Sequence, residues 1–558
     1  MTTSARHATT LQQLIDSSNN KRFSQYLSKI INASHPAESI ATIPFAALRL
    51  DSRQVVHGEV FILLNSQRPN CQKSRDYLYQ AAKHAAFILS EIDPASLLIA
   101  GNVPPHSNIQ LQENSPSTES QSTAQHALEA LSCPVLHTPE IRSFLGDLVQ
   151  AHLQYQQPVT LPTVVAVTGT NGKTTISQLV AQLTQLAAMS SAVMGTAGNG
   201  RLGALTQASH TTGDVIAVQK FLYQMGAEQA DILALEASSH GLDQQRLQGT
   251  PIKVAIYTNL SRDHLDYHAD MSEYVTAKAK LFDKAQFPAL THAIINADDE
   301  YAKVMLKAAR DSGLIVWTYS LQADSRATLT ATDISPSLEG VKITLRSQVK
   351  DKLRQDIDII SPLLGRFNVA NLLAAIGAAL ALGIDIEQLK ALVPQLQGAI
   401  GRMQRVPSSE GCFIVDYAHT PDALSQVLGS LKAHCQGQLW AVFGCGGDRD
   451  AGKRPLMAQA GLAGADQVIL TADNPRSEDP IRILEDMQAG MSPEQYQRTH
   501  IEPARQKAID YAVSHAGPDD IVVIAGKGHE TYQEINGVRF DFDDSVVLQQ
   551  ALQQAGRL

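Results

Sequence analysis

The chain has 558 residues, 44% hydrophobic and 18% charged, with a formal net charge of −10. That length suits about three or four domains with ample core, and the acidic balance argues against a general nucleic-acid binder, which needs a basic stripe. Five scattered cysteines (Cys71, Cys133, Cys412, Cys435 and Cys445) contain no C-x-x-C pair, which argues against a disulfide framework or zinc site and fits a reducing cytosol. The opening stretch, MTTSARHATTLQQLIDSSNNKRF, has no apolar h-region, so no secretion signal is expected. The longest near-apolar run, Leu372–Gly383, spans 12 residues and is too short to cross a bilayer. A soluble cytoplasmic protein, with no nucleic acid and no membrane insertion, is expected.

Residues 1–157 read as a mixed α/β module. Arg49-Leu50-Asp51-Ser52-Arg53 leads through Gly58 to an apolar strand, Glu59–Leu64. A helix over Tyr77–His84 and a second strand over Ala86–Leu89 follow. Between Gly101 and Gln125 the composition shifts to Pro, Ser, Asn, Gln and Thr, which predicts a solvated, mobile loop. No catalytic constellation stands out in this module.

Residues 158–397 alternate strands and helices, the pattern of a doubly wound sheet. Strands are predicted at Val164–Val167, Ile232–Leu235, Val254–Tyr257 and Ala293–Ile295, with a helix over Ala370–Leu382 stopped by Gly383. The stretch VVAVTGTNGKTT, Val164–Thr175, organises the rest. An apolar strand runs into a turn at Gly169, Thr170, Asn171 and Gly172, and Lys173-Thr174-Thr175 opens a helix. Ile176, Leu179, Val180, Leu183, Leu186 and Ala187 give that helix a core-facing stripe. Strand, glycine turn and helix N-terminus make a phosphate cradle, with Lys173 adding charge and Thr174 able to hold Mg²⁺. The spacing, G-x-x-G-K-T, is two residues shorter than the standard phosphate-binding loop.

Functional residues gather where such strands end. Glu236 ends the strand beside the cradle and reads as a Mg²⁺ ligand or a helix-capping acid. His264 and His268, in SRDHLDYH, occupy the loop after the next strand, where two His and two Asp beside a phosphate site suit ligand or orienting roles. Asp270 and Glu273 then open a helix in capping-box spacing. Lys278 falls on that helix's apolar stripe with Tyr274, Val275, Leu281 and Phe282, whereas Lys280 points to the other side. A desolvated lysine has a lowered pKa and a neutral amine, which can add CO₂ and become a carbamate near Mg²⁺. The same placement suits a lysine that snorkels over apolar surface.

Residues 398–558 hold four apolar strands, Phe413–Val415, Leu439–Phe443, Val468–Leu470 and Ile521–Ile524. Each runs into a polar motif: DYAHTPDAL, GCGGDRD, ADNPRSEDP and AGKGHE. Parallel strands would put all four motifs on one rim. Arg449 and Arg476, from neighbouring loops, suit carboxylates, and Glu530 suits an ammonium group, so together they describe an amino-acid pocket. Each alone is more often a surface ion pair, and Asp473-Asn474-Pro475-Arg476 is a turn in its own right.

GTNGKTT, LEASSHGLDQQR, TNLSRDHLDYH, YVTAK, GRFNVAN, GRM, DYAHTPDAL, GCGGDRD, DNPRSEDP and GKGHE together resemble the Mur ligase family, from LDSR near residue 50 to GKGHE near 530. The resemblance implies a monomeric ATP- and Mg²⁺-dependent amide ligase. It would have three α/β domains: a central doubly wound ATPase-like sheet, an N-terminal UDP-binding domain and a C-terminal Rossmann-like domain. Leu50 and Ser52 match the UDP end of the sugar-peptide site, and Thr211, Thr212, Ser238, Gln244 and Arg246 match its UDP-MurNAc portion. Lys278 matches the family's carbamylated lysine; Asn368, Arg402 and Asp416 match ATP-contacting positions. Arg449, Asp473, Asn474, Pro475, Arg476, Gly526 and Glu530 match the site of the incoming amino acid, and DNPR resembles the type that adds meso-diaminopimelate. The implied acceptor is UDP-MurNAc-L-Ala-D-Glu, and closure of the third domain is expected to assemble the site. His210 stands where relatives often have Asn, and the segments Asn65–Arg75 and 101–125 look like insertions, the first leaving uridine contacts unassigned. Rival readings are a lysine-adding ligase, another ligase of the superfamily such as a MurF-type enzyme or a folylpolyglutamate synthetase, a nucleotide-hydrolysing P-loop protein, or a non-catalytic binding module.

Overall fold

Short β-branched runs buried on both faces form the main strands, and helices with one apolar side cover them. The computed structural model describes residues 8–349 and 355–558 apart from residues 19, 34–39, 66–72, 100–130, 209 and 266. Cys71, most of the Asn65–Arg75 segment and the polar stretch 101–125 therefore lie outside the described residues.

Leu48–Arg49, Val60–Leu63, Phe87–Ser90 and Val135–His137 form a parallel sheet of four strands. Helices Leu11–Ser17 and Lys21–Ala33, which the sequence reading does not anticipate, pack on one face with Leu145–Gln156. Val215 and Ile216, from the helix Val215–Ala227, join the same core and tie this sheet to the next unit. The predicted helix over Tyr77–His84 forms earlier, as Lys73–Ala82.

The cradle strand Thr163–Thr168 lies inside an 11-stranded sheet, between parallel Ile232–Glu236 and Ile252–Tyr257. Its side chains alternate: Val165 and Val167 pack against Ile176, Leu179, Val180 and Leu183 of the helix Lys173–Leu186, and Val164 and Ala166 face the opposite core. His292–Asn296 and Ile315–Ser320 extend the parallel part. An antiparallel ribbon, Leu329–Ser337, Gly340–Ser347 and Gln355–Ser361, closes one edge, and Gly198–Arg201 with Ala204–Thr206 closes the other. Continuous apolar runs betray the doubly covered strands. Gly340–Ser347 instead buries Val341, Ile343 and Leu345 alternately, a weaker signal in the chain.

In the third sheet, Cys412–Asp416, Ile521–Ala525, Leu439–Phe443 and Gln467–Leu470 are adjacent and parallel, so their four motifs share one rim. Gln404–Val406 flanks them antiparallel, and Thr499–Ile501 lies at the other edge. A hairpin, Tyr532–Ile535 and Val538–Asp541, leans on the rim: Arg476 N–H donates to Glu534 O at 2.9 Å. No helix among the described residues is long and apolar enough to cross a membrane.

Behind the rim, Arg505 and Asp544 form an ion pair whose side chains are both 0% exposed. Arg505 Nε and Nη2 each reach Asp544 at 2.7 Å. Nη2 also donates to Ala525 O at 3.0 Å and Nη1 to Ala472 O at 3.3 Å, the carbonyls just before Gly526 and Asp473. Asp544→Ala removes the only ion-pair partner that hydrogen-bonds this guanidinium among the described residues and is expected to cost about 3–5 kcal/mol. Urea unfolding checks this, and a loss below about 1 kcal/mol would contradict it.

Candidate active site

After Thr168 the chain turns through Gly169 and Gly172, at φ 152° and 87°. A Cβ on Gly169 would stand 1.8 Å from Thr258 Oγ1, and one on Gly172 2.5 Å from Asn371 Oδ1, so both positions require glycine. The N–H of Thr170 donates to Asn259 O at 2.8 Å and that of Asn171 to Asn259 Oδ1 at 3.0 Å, which fixes the turn. Thr174 and Thr175 are buried at the start of the helix. Asn368 is buried behind the cradle: its Nδ2 donates to Leu364 O, and its Oδ1 accepts from Asn371 Nδ2.

Glu236 collects the donors beside this turn. Its Oε1 accepts from Thr174 Oγ1 at 2.9 Å and from Thr196 N–H at 2.8 Å, and its Oε2 accepts from Thr196 Oγ1 at 3.2 Å. The carboxylate fits because Gly195 lacks a side chain: a Cβ there would stand 2.1 Å from Oε1. Gly195 and Thr196 belong to no motif, and the sequence reading does not single them out. The strand end that carries them, Ser191–Gly195, is the available signal.

Two amines converge on one carbonyl. Lys173 Nζ donates to Gly169 O at 3.0 Å and Thr170 O at 2.8 Å, and Lys278 Nζ donates to the same Gly169 O at 2.8 Å. Lys278 is 1% exposed, with Nζ 4.6 Å from the centroid of the Tyr274 ring. Neither amine makes an ion pair among the described residues. Burial, then the Lys173 charge, holds the Lys278 pKa well below the usual lysine range, and burial lowers Lys173 too. Lys280 faces away and pairs with Asp243 at 2.6 Å.

His264 has a positive φ of 53° and meets His240 edge-on at 5.0 Å. His268 is buried, with neither ring nitrogen hydrogen-bonded, among His240, Tyr267 and Tyr274. A cavity of ≈ 410 Å³ opens over this centre, lined by Lys173, Thr196, Thr211, Thr212, Ser238, His240, Arg246, His264 and Lys278. Thr211 Oγ1 lies 3.0 Å from Thr196 Oγ1. The Thr212 hydroxyl is committed to scaffolding: it donates to Glu236 O and accepts from Ser238 N–H. Arg246 donates twice to Gln244 Oε1 and once to Thr212 O.

A second cavity, ≈ 210 Å³, is lined by Leu50, Arg142, His210, Gln244 and Arg246. It meets the first at His210 and Arg246, so a trough leads from the N-terminal sheet to the lysines. Ser52 lines neither cavity; its hydroxyl donates to Gln80 Oε1 at 2.8 Å. A third cavity, ≈ 440 Å³, between the helix of Asp147 and the Gln245–Pro251 turn, holds none of the sequence-predicted residues.

On the third sheet, Asp416 accepts from Met403 N–H and Ala418 N–H at 2.7 Å each, while burial pushes its carboxyl up. Arg402 lies over the Tyr417 ring at 4.4 Å. The connecting segment ties both sheets together. Gln397 and Ile400 N–H donate to Gln182 and Gln178 of the cradle helix, and Gly401 packs so closely that a Cβ would stand 2.1 Å from His529 N. Gly526 N–H donates to Asp416 O at 3.0 Å. Asn474 Nδ2 donates to Glu530 Oε2 at 2.9 Å, and Arg476 Nη1 to Gly447 O at 2.7 Å. Pro475 O would lie 2.0 Å from a Cβ on Gly447, which keeps those loops in contact. Arg449 is exposed beside them, and Asp473 is buried with Oδ1 not hydrogen-bonded. Lys527, 0% exposed beneath this cluster, is absent from the sequence prediction.

A glycine turn at a helix start, a trough that ends at two buried amines and a rim of mixed charges are the parts that an ATP-dependent acid–amine ligase needs, and that is the class to which the relatives of this chain belong. The chain belongs to the Mur ligase family: residues 167–379 match the Mur ligase middle domain, and residues 401–528 match the Mur ligase, glutamate ligase domain. It is 40% identical over 507 residues to the UDP-N-acetylmuramoyl-L-alanyl-D-glutamate--2,6-diaminopimelate ligase of Pseudomonas aeruginosa, spanning 90% of this chain and 94% of that one. A solved structure of a ligase of that name matches with a TM-score of 0.69 at 41% identity, over 99% of this chain and 100% of the other. MurF from Acinetobacter baumannii, with a TM-score of 0.56 at 15% identity, shares the fold.

Gly195→Ala should push the Glu236 carboxylate aside without unfolding the sheet. The expected result is a kcat lower by about a hundredfold or more at an unchanged melting temperature. Steady-state kinetics beside calorimetry would refute this if kcat stayed within about threefold of the parent.

Proposed function

We propose that this protein joins meso-2,6-diaminopimelate to the D-glutamyl γ-carboxylate of UDP-MurNAc-L-Ala-D-Glu, converting ATP to ADP and phosphate in peptidoglycan precursor synthesis, the reaction of a MurE-type ligase. The observation that carries it is the pair of amines on Gly169 O, which lack a carboxylate partner where cradle and trough meet. Amine donors converging at that point suit a phosphate and a carboxylate brought together.

A carboxylate is a poor acyl donor. Transfer of the ATP γ-phosphoryl group to a carboxylate oxygen yields an acyl phosphate and ADP. The neutral amine nitrogen then attacks the carbonyl carbon, the C–O bond to phosphate breaks, and the nitrogen loses a proton as the amide forms. Protein groups mainly position and neutralise charge. Gly169, Thr170, Asn171, Gly172, Lys173, Thr174 and Thr175 would cradle the phosphates, with Asn368, Arg402 and Asp416 around the rest of ATP. Glu236 and Thr174 present the hard oxygens that Mg²⁺ prefers. With His264 and a carbamylated Lys278 they would hold Mg²⁺, which when bound offsets phosphate charge.

Lys278 has the requirement for carbamylation: a buried amine whose neutral form is favoured. Its neutral nitrogen adds CO₂ and releases one proton, turning an uncharged amine into an anion. Leu50, Ser52, Thr211, Thr212, Ser238, Gln244 and Arg246 are assigned to the UDP-sugar peptide. Arg449, Asp473, Asn474, Pro475, Arg476, Gly526 and Glu530 are assigned to the diamino acid, whose second carboxylate gives Arg476 its partner. Domain limits of 1–157, 158–397 and 398–558 are supported by the three larger sheets, one in each. Soluble nucleotide substrates support action in the cytoplasm.

Phosphate release tests this, with UDP-MurNAc-L-Ala-D-Glu and each amino acid supplied in turn. Diaminopimelate should saturate, with lysine lower by about a hundredfold or more in kcat/KM. Equal rates would overturn the pocket assignment, and release without either substrate would favour a simple nucleotide hydrolase.

Lys278→Ala should abolish turnover, with partial rescue by short carboxylates. Because protons compete with CO₂ for the amine, stripping CO₂ should inhibit the parent more strongly at lower pH. Full activity in the variant would exclude the carbamate.

A further inference from the structure

We infer that Lys527 is a positioning residue for the incoming diamino acid: its buried ammonium group orients Asn474 and Glu530 so that Glu530 can meet a substrate ammonium group. This deepens, and rests on, the amino-acid site proposed above.

Lys527 is 0% exposed, whereas the Glu530 side chain is 23% exposed, so substrate reaches the acid and not the lysine behind it. Its Nζ lies 3.2 Å from Asn474 Oδ1, 3.4 Å from Glu530 Oε2 and 3.8 Å from Asp473 Oδ1. An ammonium group only donates, so the Asn474 amide must turn its oxygen toward Lys527. The backbone N–H of Glu534 donates to the same oxygen at 3.0 Å. Asn474 Nδ2 is thereby committed to Glu530 Oε2, at 2.9 Å. A flipped amide would set donor against donor at Lys527 and Glu534, and acceptor against carboxylate at Glu530.

Two contacts therefore hold Glu530 Oε2, leaving Oε1 for a ligand. The charge matters as much as the geometry. Without Lys527, the Asp473 and Glu530 carboxylates would share a largely buried corner with only Arg505, already paired with Asp544, to offset them. A purely structural lysine would change stability but not the affinity for one substrate.

A double-mutant cycle between Lys527→Met and Glu530→Gln, read as KM for each substrate, separates these cases. Lys527→Met should raise the diaminopimelate KM about tenfold or more, leaving those for ATP and UDP-MurNAc-L-Ala-D-Glu within about twofold. In the Glu530→Gln background the same change should have less than about a threefold effect, because the group it acts through is already lost. If Lys527→Met does not fold, Lys527→Gln, which keeps a donor without the charge, carries the same cycle. A KM for diaminopimelate that stays near the parent value, or independent multiplication of the two effects, overturns the inference alone. A parent enzyme indifferent to diaminopimelate overturns the pocket assignment and this inference together.

Discussion

Two lysine amines donate to the carbonyl oxygen of Gly169, and much of the central architecture follows from holding them there. Burial and the neighbouring Lys173 charge favour the neutral form of Lys278, which eases the repulsion between the two amines. The arrangement persists because each lysine is anchored by a different packed element. Lys173 opens the helix that covers the cradle strand, while Lys278 ends a helix whose Tyr274 and Val275 are buried in the opposite core. Position 169 accepts only glycine, since any side chain would meet Thr258. The result is a pair of amine donors fixed in place at the end of the trough.

The third sheet uses a related device with the charge compensated. Arg505 lies in the interior, neutralised by Asp544, and spends its remaining donors on the carbonyls of Ala472 and Ala525. Those carbonyls are the last fixed points before the Asp473–Arg476 turn and the Gly526–Glu530 turn, so the loops start from a rigid base. The hairpin at Tyr532–Asp541 then braces Arg476 from outside. Between the two centres, Gln178 and Gln182 hold the segment that carries Gly401 against His529. The cradle helix and the rim of the third sheet are thus mechanically linked, which suits the proposed reaction, in which the reagents would arrive on different sheets.

Local chemistry made much of this legible. The apolar run before Gly169, the Lys-Thr-Thr helix start and the stripe through Ile176 and Leu183 each report a neighbour-to-neighbour constraint. Lys278 could be picked from Lys280 because helical periodicity decides which side chain faces the core. Gly195, Thr196 and Lys527 were hidden because their roles come from residues distant in the chain: Glu236 lies 40 positions beyond Thr196, and Asn474 lies 53 before Lys527. Arg505 and Asp544 were hidden for another reason, since charged residues are expected outside and only an unusually good pairing reverses that preference.

By itself the sequence determined the strands that are apolar throughout, the helices that cover them and the motifs at their ends, because backbone geometry and side-chain period act over a few residues. Tertiary structure alone decided that Ser52 donates its hydroxyl to Gln80, and that Thr212 spends its hydroxyl on the scaffold. It also decided that two cavities join at His210 and Arg246. Those outcomes depend on which partners long-range packing brings within hydrogen-bond reach, and a linear pattern carries no distances between strands.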